Sequence, residues 1–253
     1  MIKISSIIIA KNEEANISRC IESQLGCIDE IVIVVDDKST DNTLEIVKSF
    51  TQVKYIILPW QGYSGTKNSA LAITQNDWVL WIDADEALTP ALKNELIAFK
   101  SSTPKFDVYS VPRIANFLGR WIKHSGWYPG RIERVFNKHK VKFSESNVHE
   151  HLVYSGNAGT FINNIEHYTD PSIFHYFEKY NRYTSLAAEE IFKKNKKLKI
   201  SDLLIRPLFQ FVKMYFFKSG FLDGIQGFIL AVFSSAYVFT KYAKLWEIEK
   251  ERH

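Results

Sequence analysis

The chain has 253 residues, 46% apolar and 14% aromatic, ample for one large domain or for a domain with an appendage. Its two cysteines, Cys20 and Cys27, exclude a disulfide framework and a cysteine metal site, and a reducing compartment is the expectation. The net charge of +4 conceals an asymmetry: residues 1–100 carry 9 Lys/Arg against 14 Asp/Glu and the remainder 23 against 14, so the second half is suited to an anionic surface or a phosphorylated acceptor, and no zinc-finger or recognition-helix pattern supports nucleic acid.

The first ten residues are apolar but lack a basic leader and a cleavage site, so they read as a strand and not as a targeting segment. Strands are expected at Ile4–Ala10, Glu30–Val35, Val53–Leu58 and Asp77–Ile82, each apolar and rich in Ile or Val. Between them, Ile17, Cys20, Ile21 and Leu25 fall on one face of a helix, and Ser39, Thr40 and Asp41 offer caps for the next. Repeated strand–helix units with right-handed crossovers predict a parallel, doubly wound sheet. In such sheets ligands bind at the carboxyl ends of the strands.

Those ends are polar in this chain. Lys11-Asn12-Glu13-Glu14 follows the first strand and is no glycine-rich dinucleotide fingerprint. Asp36 ends the second, where a carboxylate can accept from a base N–H or a ribose hydroxyl. Gly62 to Asn68 is a glycine-containing loop opening a helix after the third, with Lys67 and Asn68 poised for phosphate or base. After the fourth come Asp83-Ala84-Asp85-Glu86, then Thr89-Pro90, a good N-cap and first helical residue. Clustered carboxylates repel unless a cation joins them. A hard divalent ion carrying a diphosphate, held by Asp83 and Asp85, is the natural partner, because Mg²⁺ takes few protein carboxylates and completes its shell with water and phosphate oxygens.

Together, Lys11 to Glu14, Val35 to Thr43, Gly62 to Asn68 and Asp83 to Glu86 resemble the family 2 glycosyltransferases. The resemblance implies an α/β GT-A fold (Rossmann-like, mostly parallel) with a C-terminal helical appendage, a nucleotide-diphosphate sugar as donor, and inversion at the anomeric carbon. It implies that Asn12, Glu14 and Asp36 surround the nucleobase and ribose with Lys67 and Asn68 nearby. Asp83 would approach the ribose and sugar, and Asp85 would hold Mg²⁺ or Mn²⁺. Asn116 to Pro129 and Val148-His149-Glu150-His151 resemble a narrower group, the bacterial lipopolysaccharide-core β-glucosyltransferases, and so imply UDP-glucose and a glycolipid or oligosaccharide acceptor.

Residues 106–170 read as short strands and loops at Phe106–Pro112, Arg134–Asn137, Leu152–Ser155 and Thr160–Ile165. Glu150 is the candidate general base, since inversion needs a carboxylate to take the acceptor proton as the C1–O bond forms. His149, His151 or His167 is placed to add a metal or diphosphate contact, and Arg131 and Arg134 to neutralise the diphosphate. The expected division is a catalytic domain over 1–170, with a nucleotide-sugar half at 1–100 and an acceptor half at 101–170, then a helical region over 171–253.

In that region Asp170-Pro171 is expected to cap and open a helix carrying Tyr176, Tyr180 and Tyr183 on one face. The lysine cluster Lys193 to Lys199 precedes an aromatic-rich segment in which the 17 residues Gly224–Thr240 carry no charge, the lower limit for a membrane span. Basic flanks and interspersed polar residues predict helices lying on the inner face of the cytoplasmic membrane, with a packed helical hairpin as the competing arrangement. A sugar nucleotidyltransferase is the enzymatic alternative, though it wants a glycine-rich phosphate loop after the first strand. A catalytically silent membrane scaffold is the non-enzymatic one, and the intact acid set argues against it.

Overall fold

A computed structural model describes residues 1–144 and 151–251. The strands are β1 (Ile4–Ala10), β2 (Glu30–Asp36), β3 (Val53–Leu58), β4 (Trp78–Trp81), β5 (Glu86–Leu88), β6 (Val108–Phe117), β7 (Arg120–Ile122), β8 (Gly130–Asn137), β9 (Lys142–Phe143), β10 (Leu152–Val153), β11 (Gly159–Thr160) and β12 (Ile165–Asp170). The α-helices are α1 (Ile17–Gln24), α2 (Thr43–Ser49), α3 (Gly62–Ala72), α4 (Pro90–Lys100), α5 (Ile173–Lys193), α6 (Ile200–Val212) and α7 (Gly224–Glu251). The main sheet runs β3-β2-β1-β4-β8-β6-β12-β5. Its first four strands are parallel, and the strands beyond β4 pair antiparallel along this path where the register is defined.

The chain divides into two compact units, one of Met1–Arg113 with Gly130–Tyr168, the other of Ile114–Pro129 with Thr169–His253. In the first unit, β1 and β2 are buried on both faces, as their unbroken Ile/Val runs require. Side chains alternate between the faces. Ile4, Ile8, Ile33 and Leu80 pack with α1 and α4 through Ile17, Ile21, Leu92 and Leu96. Ile7, Val32, Val34 and Val79 pack on the other face with Ala70 of α3 and Phe136 of β8. Thr89 caps α4, its hydroxyl accepting from the Leu92 amide at 3.2 Å.

In the second unit α7 packs on α5 and α6. Tyr176 and Tyr180 lie 5.1 and 5.7 Å, ring to ring, from Phe233 and Tyr237 of α7, so these two tyrosines are packing, while Tyr183 is exposed. Asp170 does not open α5: it ends β12, where its carbonyl accepts from the Leu118 amide, and Ser172 caps the helix instead, accepting from the His175 amide. The Asp223 carboxylate accepts from the Lys123 and His124 amides at 3.1 and 2.9 Å, tying the 3₁₀ turn Gly220–Asp223 to the segment after β7. Residues 114–129 fall in the same compact unit as the helices.

Candidate active site

Parallel pairing brings the carboxyl ends of β1, β2 and β4 to one sheet edge. Asp36 ends β2 with its side chain buried, accepting from the Lys38 amide at 2.8 Å and pairing with Lys11 Nζ at 3.2 Å. Burial pushes its carboxyl up, but the amide and the ammonium outweigh that and hold it below the usual aspartate range. Asn12 stands in the left-handed region at φ 54°, a conformation asparagine tolerates, and its Oδ1 accepts from the Thr40 amide at 2.8 Å. Glu14 accepts from both the amide and the side chain of Asn42 at 3.0 Å. Asn12 and Glu14 thus strap the loop after β1 to the loop after β2 while remaining exposed at this edge.

The acids after β4 separate into different environments. Glu86 is fully buried on β5, opposite His167 in the pairing with β12. It accepts from Arg134 Nη2 at 2.7 Å on both oxygens, and from the Asp83 amide at 3.0 Å. Arg113 Nη1 lies 3.5 Å away. Arg134 Nη2 also bonds Asp83 Oδ2 at 2.5 Å, while Trp81 Nε1 donates to Asp83 Oδ1 at 3.2 Å. A bulge explains how Arg134 reaches both acids. Tyr109 of β6 pairs with Val135 but Ser110 pairs with Glu133, leaving Arg134 as the extra residue of β8. Such bulges redirect a side chain out of the regular alternation.

Burial opposes ionisation of Asp83, yet Arg134 and then Lys67 overcome it and hold the carboxyl well below its ordinary range. For Glu86, burial wins over Arg134 and the carboxyl is raised. The guanidinium, between two acids, is held more firmly protonated than usual despite its own burial. Lys67 is buried in α3 with Nζ 3.2 Å from the centroid of the Trp81 ring. Asn68, next on that helix, is exposed.

Asp85 is set apart from this network. Its Oδ2 lies 3.2 Å from His167 Nε2, and its carbonyl accepts from the Tyr168 amide at 2.9 Å. No group of three His, Cys, Asp or Glu side chains gathers for a metal among the described residues. Asp85 with His167 nonetheless fits a hard divalent ion that draws its other ligands from diphosphate and water. Asp83 fits that role less well, because Arg134 and Trp81 engage both its oxygens. Arg134 differs from expectation in the same way: buried between two acids, it neutralises the protein's own charge and not an open diphosphate position. Arg131 is exposed and donates to the Phe161 carbonyl at 3.3 Å, away from the acids' own hydrogen bonds.

Glu150 and His149 lie outside the described residues. His151 donates its amide to Ser144 Oγ at 3.1 Å. Sequence reasoning missed the separate role of Glu86 and the presence of Arg113 beside it. Glu86 looks like a third member of the acid cluster, and only its place on β5 distinguishes it.

The family model described as Glycosyl transferase family 2 matches residues 5–169. A glycosyltransferase of Rickettsia typhi is 34% identical over 98% of this chain and 88% of its own. The lipopolysaccharide core biosynthesis glycosyltransferase LpsC of Rhizobium meliloti is 29% identical over 96% of this chain and 92% of its own. Among solved structures, S. aureus TarS 1–349 in complex with UDP aligns with a TM-score of 0.47 and 18% identity, over 99% of this chain and 92% of that one.

Proposed function

Since the chain belongs to glycosyltransferase family 2 and is a glycosyltransferase of GT-A fold, we propose that it transfers a hexose with inversion, glucose from UDP-glucose, to a lipopolysaccharide core or another lipid-linked glycan. The observation that carries this reading is the pairing of Asp85 with His167, next to Asp83 and at the same sheet edge as Asp36. The acceptor class is supported by the likeness to LpsC over nearly the whole length of both chains.

In this reading Asp36 receives the ribose or base, and Lys67 with the outer edge of Asp83 faces the sugar diphosphate. Arg134 and Glu86 fix Asp83 so that its geometry is set before the donor arrives. Asp85 and His167 hold Mg²⁺ or Mn²⁺, which when bound supplies Lewis-acid stabilisation of the departing diphosphate. Glu150 takes the proton of the acceptor hydroxyl. Direct displacement requires no covalent enzyme intermediate.

We further assign the protein to the inner face of the cytoplasmic membrane, where a lipid-borne acceptor is concentrated. Leu204, Ile205, Leu208 and Phe209 occupy one side of α6 and are 57–66% exposed, with Phe217 of the following turn at 73%. Between residues 203 and 246 the single carboxylate, Asp223, is buried, so no acid on this stretch repels an anionic surface. The helix Gly220–Lys250 is long and apolar enough to cross a bilayer by length and composition, but its packing against α5 and α6 favours lying on the surface. Screening purified protein against nucleotide sugars, read as metal-dependent UDP release, tests the reaction. Release from none of the hexose donors, with or without an acceptor glycolipid, would reject it.

A further inference from the structure

The second unit contains a cavity of about 250 Å³, lined by Ser125, Trp127, Gln210, Lys213, Lys218 and Ser234 among others. At roughly 30 Å³ per water this is the space of about eight waters, enough for a phosphate ester. The two lysines reach it through a local departure from the α-helix. Residues Lys213–Phe217 form a π turn, closed by a hydrogen bond from the Lys218 amide to the Lys213 carbonyl at 2.8 Å. In a regular α-helix, positions five apart point roughly 140° away from each other. The wider turn brings both into the lining of one cavity.

Ser125 and Gly126 line the same cavity. They take left-handed conformations at φ 60° and 80°, and the Ser125 amide donates to the Lys218 carbonyl at 2.9 Å. The conformation is uncommon for serine. Ser125 is 3% exposed, and its hydroxyl is buried with no hydrogen-bond partner. Lys218 carries its methylenes across Gly126, close enough that a Cβ there would touch Cγ at 3.6 Å. Neither ammonium has a carboxylate partner among the described residues, and no acid lines the cavity. Asp223, the nearest acid in sequence, is committed to Lys123 and His124. Two unneutralised cations held on one wall are a site for an anion.

The surroundings indicate which anion. Phe216 and Phe217 belong to the same π turn and are 55% and 73% exposed, and Phe209, beside Gln210, is 57% exposed. A cation pair set among outward-facing aromatic rings suits a headgroup at the boundary between water and acyl chains. We propose that this cavity binds the phosphomonoester headgroup of a membrane lipid. The proposal rests on the membrane-surface reading above and gives it a specific contact. Lys213, Lys218 and Gln210 hold the phosphate while Phe216 and Phe217 enter the acyl region.

Flotation of the full chain with three vesicles tests it: phosphatidylcholine alone, or mixed with phosphatidic acid or with phosphatidylglycerol at matched surface potential. The wild type should favour the phosphatidic acid vesicles. Lys213→Gln/Lys218→Gln should weaken that binding roughly thirty-fold, to the level seen with phosphatidylglycerol. Lys196→Gln/Lys197→Gln, in the exposed lysine cluster, should weaken both anionic vesicles alike. All these lysines are exposed, so each variant should fold, and thermal melts check this. Equal binding of the wild type to both anionic vesicles, undiminished by the cavity substitutions, overturns the pocket while leaving membrane association standing. Failure to float with any vesicle removes both. Saturable binding of free glycerol 3-phosphate with the same affinity as the vesicles, unaffected by Phe217→Ser, overturns the lipid as the source of the phosphate.

Discussion

Replacing Arg134 with methionine should be among the most destabilising single changes in the first unit. Methionine keeps the stem of the side chain but removes the guanidinium that bonds both oxygens of Glu86 and one of Asp83. Glu86 is wholly inside the protein, and its remaining cation, Arg113, stands at 3.5 Å. Breaking a buried ion pair by removing one partner costs about 3–5 kcal/mol, because the other charge is left uncompensated. For a chain of this size that is a fall in Tm of roughly 6–20 °C. Asp83 adds less, since its side chain remains 40% exposed and water can replace the lost contact.

The pH dependence separates this mechanism from simple loss of packing. Glu86, raised in the folded chain, contributes stability below the ordinary glutamate range and withdraws it as pH rises through its folded value. Asp83, held low, works in the opposite sense: its contribution is present at neutral pH and is lost as pH falls below the ordinary aspartate range. Without Arg134 the first effect grows and the second shrinks. The deficit of Arg134→Met against the wild type should therefore narrow between about pH 8 and about pH 5 in urea titrations. Adding Glu86→Gln removes the stranded charge but leaves an acceptor for the Asp83 amide, so the double variant should regain most of the lost stability. A deficit constant across that pH range, or a double variant no more stable than the single one, would refute the argument.

Three further outcomes test the site. Asp85→Asn should abolish transfer with the fold intact, and His167→Ala should raise the metal concentration needed for half-maximal rate; near-normal activity of Asp85→Asn with the same metal requirement would remove Asp85 from that role. Glu150→Gln should slow transfer by about two to four orders of magnitude with donor affinity unchanged, and a matching collapse of donor binding would make Glu150 a binding residue. Asp36→Asn should weaken UDP-sugar binding by roughly ten-fold or more, the worth of a charged hydrogen bond, so calorimetry returning wild-type affinity would move the nucleoside elsewhere.

The sequence was most informative where one strand or one helix decides its own environment. The Ile/Val runs of β1 and β2 are buried on both faces, and such runs have few other stable homes. Thr89-Pro90 caps α4 through a purely local bond. Parallel pairing then determines that Asp36 and Asp83 emerge at the same edge, which is why the acid positions are legible in the sequence. Asp170-Pro171 shows where local reasoning stops. Asp170 has good capping chemistry, but its backbone is engaged in strand β12, and Ser172, with the same chemistry two residues later, takes the cap.

The network around Asp83 was not readable, for a related reason. Arg134 faces the acids because β8 accommodates one residue more than β6 opposite it, and a bulge depends on two strands at once. Strict alternation from a neighbouring residue of β8 would have assigned Arg134 to a fixed face with no indication of its partners. Glu86 was hidden differently. Within Asp83-Ala84-Asp85-Glu86 three carboxylates look equivalent, yet pairing of β5 with β12 draws Glu86 inside while Asp85 stays beside His167. Once Glu86 is inside, a cation must follow it, because an isolated buried carboxylate would give up its charge. The bulge at Arg134 meets that demand, and the same guanidinium fixes Asp83 at the rim. A buried charge thereby helps set the geometry of the one at the rim, which the proposed function turns toward the donor.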